Sequence, residues 1–173
     1  MAKKARKKEV NIEIDKLTNS IENVLSGDVF DTEFHKVSKS DIKKKDWLFD
    51  WHLELKNKNR QVYKMTIKNN AKIIQGLISF SVDENFIFIN LVENAKFNRG
   101  KNKIYVGVAG NMFAFACKVS KEKGFGGIVS FVAKTLLINH YYKTLGATTI
   151  IGQRMIIEGE ATHNLINQYF KNK

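Results

Sequence analysis

The apolar positions of this chain change their period along its length. From Gln61 to Lys68, Val62, Lys64 and Thr66 alternate with Tyr63, Met65 and Ile67, the two-residue period of a strand. Ile73 to Val82 reads as a second strand richer in apolar residues, and Asn69-Asn70 supplies the turn between them. Phe86 to Val92 is almost wholly apolar, as in a central strand covered on both faces. Beyond it, helices over 110–123 and 134–145 alternate with strands over 126–132 and about 147–157. Gly124 and Gly146 stand where helices end. A last helix over about 160–170 places Ala161, Leu165, Ile166 and Tyr169 on one face. Meander strands followed by β-α-β-α-β predict an α+β domain with a mixed sheet.

The first third carries mixed patterns. Val10, Ile14, Leu17, Ile21 and Leu25 have helical spacing, whereas Ser26-Gly27-Asp28 marks a hairpin between 21–25 and 29–37. After Ser20 the hairpin is the expectation. Ser40-Asp41 is placed to cap a short basic turn of helix over 42–45. Trp47, Phe49 and Trp51 alternate with Leu48, Asp50 and His52, a strand-like pattern continuing to Leu55. Residues 1–8 read as a flexible basic tail and 9–173 as one domain.

Composition narrows the class. A hydrophobic fraction of 43% with twelve Phe in 173 residues excludes a disordered chain. No stretch approaches the apolar length of a membrane span, and the N-terminus lacks the apolar core of a secretory signal. The single cysteine, Cys117, sits among Ala114, Ala116 and Val119 and reads as a packed residue of a reducing compartment, so a cytoplasmic protein is expected. The net charge of +12 is uneven. Between Leu55 and Val82 there is no acid, against Lys56, Lys58, Arg60, Lys64, Lys68 and Lys72, and Lys96, Arg99, Lys101 and Lys103 form a second basic cluster. Such patches suit RNA or a phosphorylated partner, and equally a solvated surface in a chain rich in Lys and Asn.

The stretch from Tyr105 to Ala147 carries the chemistry. Gly107-Val108-Ala109-Gly110 closes a strand and opens a small-residue helix. A glycine turn at a helix start leaves bare N–H groups at the positive end of the helix dipole, a seat for a pyrophosphate. The same glycines serve equally to permit a tight turn. No H-E-x-x-H, C-x-x-C, Walker-type loop or G-x-S-x-G occurs, so no metal site is expected.

In order and spacing this segment resembles the acyl-CoA-binding half of the GNAT family of N-acetyltransferases. The family's turn, Q/R-x-x-G-x-G/A, falls on Ile104-Tyr105-Val106-Gly107-Val108-Ala109, with Ile104 where a polar residue is usual. Tyr141 to Ala147 resembles its F-Y-x-x-x-G-F signature, with Tyr142 on the tyrosine and Ala147 replacing the last aromatic. Thr135 stands where an asparagine is frequent. The resemblance covers about residues 60–157. It implies a GNAT-like mixed, mostly antiparallel central sheet flanked by helices, in which a central strand splays from its neighbour and the pantetheine arm lies in the opening. It also implies acetyl-CoA as acyl donor and transfer to an amine, small molecule or protein, by direct attack in a ternary complex.

The cofactor-binding groups so implied are Leu91 and Val92 on the central strand, with Tyr105, Gly107, Val108, Ala109, Gly110 and Asn111 around the turn. Lys101, Lys103 or Arg99 would pair with phosphates. Tyr142 is the implied proton donor to the leaving thiolate, with Tyr141 its rival by one register. Glu93, at the end of the central strand, is placed to take the amine's proton directly or through water, and reads equally as a strand end or turn cap. Trp47, Phe49 and Trp51 with Asp46, Asp50 and Glu54 either hold a cationic amine or pack beneath the sheet. Two other functions stay open. One is a basic nucleic-acid-binding module using Lys56 to Lys72 with Tyr63 between the cations, or an acceptor carried on RNA. The other is a catalytically inactive GNAT-like scaffold, to which Ile104 points. A homodimer also remains open.

Overall fold

The alternating strands of the middle of the chain become an antiparallel meander of β4 (Gln61–Ile67), β5 (Gly76–Val82) and β6 (Ile87–Asn94). The computed structural model describes residues 9–18 and 20–170, and the basic run 1–8 lies outside them. Before the meander come β1 (Ile21–Asn23), β2 (Val29–Phe30), β3 (Thr32–Lys36) and a short helix α1 (Trp51–Lys56). After it come β7 (Tyr105–Val106), α2 (Val108–Glu122), β8 (Val129–Val132), α3 (Ile138–Leu145), β9 (Thr148–Ile151), β10 (Arg154–Ile157) and α4 (Gly159–Phe170). The main sheet has the order β3-β4-β5-β6-β8-β10-β9, in which β6 pairs with β8 in parallel and the other neighbours are antiparallel. A separate three-stranded sheet has the order β2-β1-β7.

The period of two along the strands divides the core between the faces of the main sheet. Met65, Ile78, Phe80, Ile89 and Val92 belong to one cluster, which α2, α3 and α4 complete with Phe113, Tyr141 and Tyr169. Val62, Leu77 and Leu91 belong to a second cluster with Ile42, Trp47, Trp51 and Ala95. Phe113, Phe131 and Tyr141 meet at tilted and edge-on angles, the geometry that aromatic quadrupoles favour.

Several expectations are corrected. Residues from Trp51 onward form a helix rather than a strand, because the Asp50 carboxylate accepts the Leu53 amide and caps it. Trp51, in the helix, and Trp47, in the extended segment before it, both enter the second cluster, at 1% and 8% exposed. Around Ser40 there is no helix at 42–45 but two 3₁₀ turns, Lys39–Asp41 and Lys44–Asp46, and Asp41 accepts the Ser38 amide. The strand expected over about 147–157 is a hairpin of β9 and β10 turning at Gly152, whose φ of 55° suits glycine. Helix 134–145 opens as a 3₁₀ turn and is α-helical only from Ile138. The hairpin expected after Ser20 is present as β1 and β2. The helical spacing from Val10 does not make a helix. Val10 instead pairs in parallel with Ala133, and burial alternates, with Val10 and Ile14 buried and Asn11 and Glu13 exposed.

Candidate active site

The site begins where β6 and β8 part. Their register holds only Ile87 with Val129 and Phe88 with Ser130, and from there the two strands separate toward their C-terminal ends. Beside the opening, β7 leads into the turn that starts α2. Gly107 is the cap of α2 at φ 90°, a left-handed conformation that a side chain disfavours. The first-turn amides of Val108, Ala109 and Gly110 have no partner within a helix by geometry, and the dipole of fifteen aligned residues adds to their positive potential. The Gly107 amide donates to Asp15 Oδ1 at 3.1 Å, and Lys103 Nζ donates to Asp15 Oδ2 at 3.0 Å. A carboxylate thus sits where the turn attracts an anion.

Asp15 belongs to a segment that threads the opening. The Val10 amide donates to Val132 O at 2.6 Å, and the Lys134 amide donates to Val10 O at 2.9 Å. The Ile12 amide donates to Tyr141 Oη at 3.0 Å, and Tyr141 Oη donates to Ile12 O at 2.5 Å. The Ile14 amide donates to His140 Nε2 at 2.8 Å, so that nitrogen carries no proton. Further on, the segment lies against the turn itself. A Cβ at Gly107 would overlap Thr18 Oγ1 and come within 2.8 Å of Ser20 O, and one at Gly110 would overlap Tyr169 Oη and come within 3.1 Å of Leu17.

The cofactor-binding residues expected from the sequence divide into two groups. Gly107, Val108, Ala109 and Gly110 line the turn, and Leu91 and Val92 lie on β6 beyond its last pair with β8, their side chains in opposite core clusters. Tyr105 is in β7, the strand that ends at the turn, paired with Asn23, and its ring meets Phe30 edge-on. Asn111 is turned from the opening: fully buried, it donates to Thr32 Oγ1 at 2.8 Å.

Of the catalytic candidates, Tyr141 is the inward one. Its ring is in the core and its hydroxyl meets the threaded segment, and burial pushes that hydroxyl well above the ordinary phenol range. Tyr142 is 59% exposed on the outer side of α3, because adjacent helical residues point about 100° apart. Glu93 is 3% exposed and engaged on every side. It accepts the Leu48 amide at 2.8 Å, the Phe49 amide at 3.1 Å and Trp51 Nε1 at 2.9 Å, and Arg99 lies 3.6 Å away. This carboxylate fastens the segment before α1 to the central strand.

The aromatic and acidic stretch is likewise structural. Trp47 and Trp51 pack beneath the sheet, and buried Glu54 pairs with Arg60 at 2.5 Å and accepts from Ser79 Oγ at 3.2 Å. A cleft of about 410 Å³ opens there, walled by Trp47, Ile74, Ala95 and Phe97, with Lys43, Lys72 and Lys96 beside Asp41 and Asp46. The Ser38 amide holds the Asp41 carboxyl below the usual range. In the basic hairpin, Arg60 and Lys64 are paired with Glu54 and Asp41, and Tyr63 is stacked on Phe80. Asp15 and Ile12 carry no motif in the sequence, and His140 reads there as one of several scattered histidines. The alternation Val10-Asn11-Ile12-Glu13-Ile14-Asp15 is the signal that marks a strand there.

No family model matches the chain, and no curated protein matches it in sequence. Solved structures do. An IAA acetyltransferase from Bacillus cereus ATCC 14579 superposes with a TM-score of 0.50 at 13% identity, covering 74% of this chain and 99% of that one. AtaTR bound with AcCoA superposes with a TM-score of 0.52 at 13% identity, covering 78% of this chain and 98% of that one. The chain therefore has the mixed, mostly antiparallel α+β fold of the GNAT acetyltransferases.

Proposed function

We propose that the protein is an acetyl-CoA-dependent N-acetyltransferase acting by direct attack of a bound amine in a ternary complex. The observation that carries this reading is an anion, the Asp15 carboxylate, held by the Gly107 amide and Lys103 at the start of α2, beside the parting of β6 and β8. Diphosphate fits the same donors, since the turn offers main-chain N–H groups and a neighbouring cation. The thioester supplies an acyl carbon activated for attack. Tyr141 takes the role of hydrogen-bond donor to the leaving sulfur, because its hydroxyl reaches the opening and a phenol is protonated at neutral pH. The amine's proton leaves through water, with Glu93 committed to the Leu48, Phe49 and Trp51 donors. The acceptor is a small-molecule or protein amine.

Titration calorimetry with acetyl-CoA tests the reading. Saturable binding, and turnover lost in Tyr141→Phe with binding retained, are expected, and absence of heat at millimolar coenzyme would sink it. One observation favours a second reading, an inactive scaffold of the same shape: the protein's own chain fills the opening. That scaffold would bind no coenzyme under any condition.

A further inference from the structure

We propose that residues 10–18 are a self-inhibitory strap that holds the coenzyme groove as an added strand and must leave before coenzyme enters. The inference rests on the acetyltransferase reading and adds its regulation. Three observations converge on it. The first is position. Ala133 donates its amide to Gln153 O at 2.8 Å, toward β10, so the Val132 carbonyl and Lys134 amide that bind Val10 face the opposite side, toward β6. The strap therefore enters the space between the parted strands, past the last pair at Phe88 and Ser130.

The second observation is chemical mimicry. A ligand with an anionic group at the α2 turn and an amide-bearing arm running inward between the strands is the kind this groove selects. The strap supplies both: Asp15 meets Gly107 and Lys103, and the peptide groups of Ile14, Ile12 and Val10 follow inward. Five extended residues span about 16 Å at ~3.3 Å each, the reach of a pantetheine arm. Strap and coenzyme need the same Gly107 amide and the same space, so they exclude one another. The strap also occupies Tyr141 Oη as both donor and acceptor, silencing the hydroxyl assigned to the leaving group.

The third observation is that the strap is held locally. Its polar ties run to the end of β8, to Tyr141 and His140 on α3, and to Gly107 and Lys103, while Val10 and Ile14 are buried in the main core cluster and Asn11 and Glu13 are exposed. Release is a local opening rather than unfolding of the sheet, and the coenzyme must offset the lost burial of those two side chains.

Hydrogen exchange on the full chain, with and without CoA, tests the strap alongside calorimetry of CoA binding to the native chain and to Ile12→Pro. That variant removes the amide bound to Tyr141 without altering charge, whereas Asp15→Ala would favour phosphates simply by losing a negative charge. The expected result is slow exchange at Val10, Ile12 and Ile14 in the free protein, fast exchange when CoA saturates it, and at least about fivefold tighter binding by Ile12→Pro. If CoA binds while those amides stay slow, or both chains bind it equally, the strap is not inhibitory and the acetyltransferase reading stands. If neither chain takes up millimolar CoA, the acetyltransferase reading fails and the inhibitory role falls with it. Should Ile12→Pro not fold, exchange in the native chain decides by itself.

Discussion

Asp15 and Gly107, 92 positions apart in sequence, are joined by a hydrogen bond in which the Gly107 amide donates to the Asp15 carboxylate. The bond anchors the N-terminal segment to the turn that opens α2. Asp15→Ala removes that acceptor and the partner of Lys103, and should cost about 1 kcal/mol. Thermal unfolding without ligand should show Tm lower by about 2–4 °C. An unchanged Tm would mean that the segment is not held there.

Gly107→Ala should be worse. The added methyl would demand a left-handed alanine and overlap Thr18, with the Ser20 carbonyl 2.8 Å away. Expected destabilisation is about 2 kcal/mol or more, read from denaturant unfolding.

Glu93→Gln separates an anchor from a base. The amide side chain presents an NH₂ to donors that a carboxylate oxygen now satisfies, and it gives up the charge facing Arg99. A loss of about 3 kcal/mol is expected, with altered tryptophan fluorescence because Trp51 Nε1 is one of those donors. A base working in solvent would lose turnover and keep stability.

Tyr141 predicts an alkaline limit. Burial raises its pKa above the ordinary 10.0, so the folded state keeps a proton that the unfolded chain releases. Its contribution is therefore fully present below pH 10 and is lost as pH rises beyond that value. Tyr169, raised by burial in the same way, acts in the same direction. Tm measured against pH should fall above about pH 10, and less steeply in Tyr141→Phe.

Cys117 should be silent toward thiol reagents. It is fully buried on α2, and burial pushes its thiol up to about 12, so almost no thiolate exists at neutral pH. Titration of the native protein should register no thiol on the timescale of mixing, and one after denaturation.

Much of the fold can be read directly from the chain, because strand alternation, helix periodicity and glycine stops are short-range properties. The meander from Gln61 to Asn94, α2 with its Gly107 start and α4 follow from these. The misreadings are also local in origin. Trp47 to Leu55 alternates like a strand, yet Asp50 caps a helix that begins at Trp51, and Trp47 from the extended segment before it enters the same cluster. For Val10 to Leu25, helical spacing and strand alternation coexist in the same residues, so periodicity alone gives no decision.

The sequence by itself determined the order of elements from Gln61 to Leu145, the turn at Gly107 with its outward amides, and a tyrosine pair on the helix that faces the groove. Each depends on residues within a few positions of one another. Only the tertiary structure decided that Tyr141 rather than Tyr142 turns inward, that Glu93 is bound by the segment before α1, and that residues 10–15 run from the end of β8 past α3 to the turn at Gly107. The physical reason is range: these arrangements depend on contacts between distant parts of the chain, up to the 129 positions between Ile12 and Tyr141. A contact of that separation leaves no periodic trace in the sequence and exists only once the sheet has brought both partners to one place.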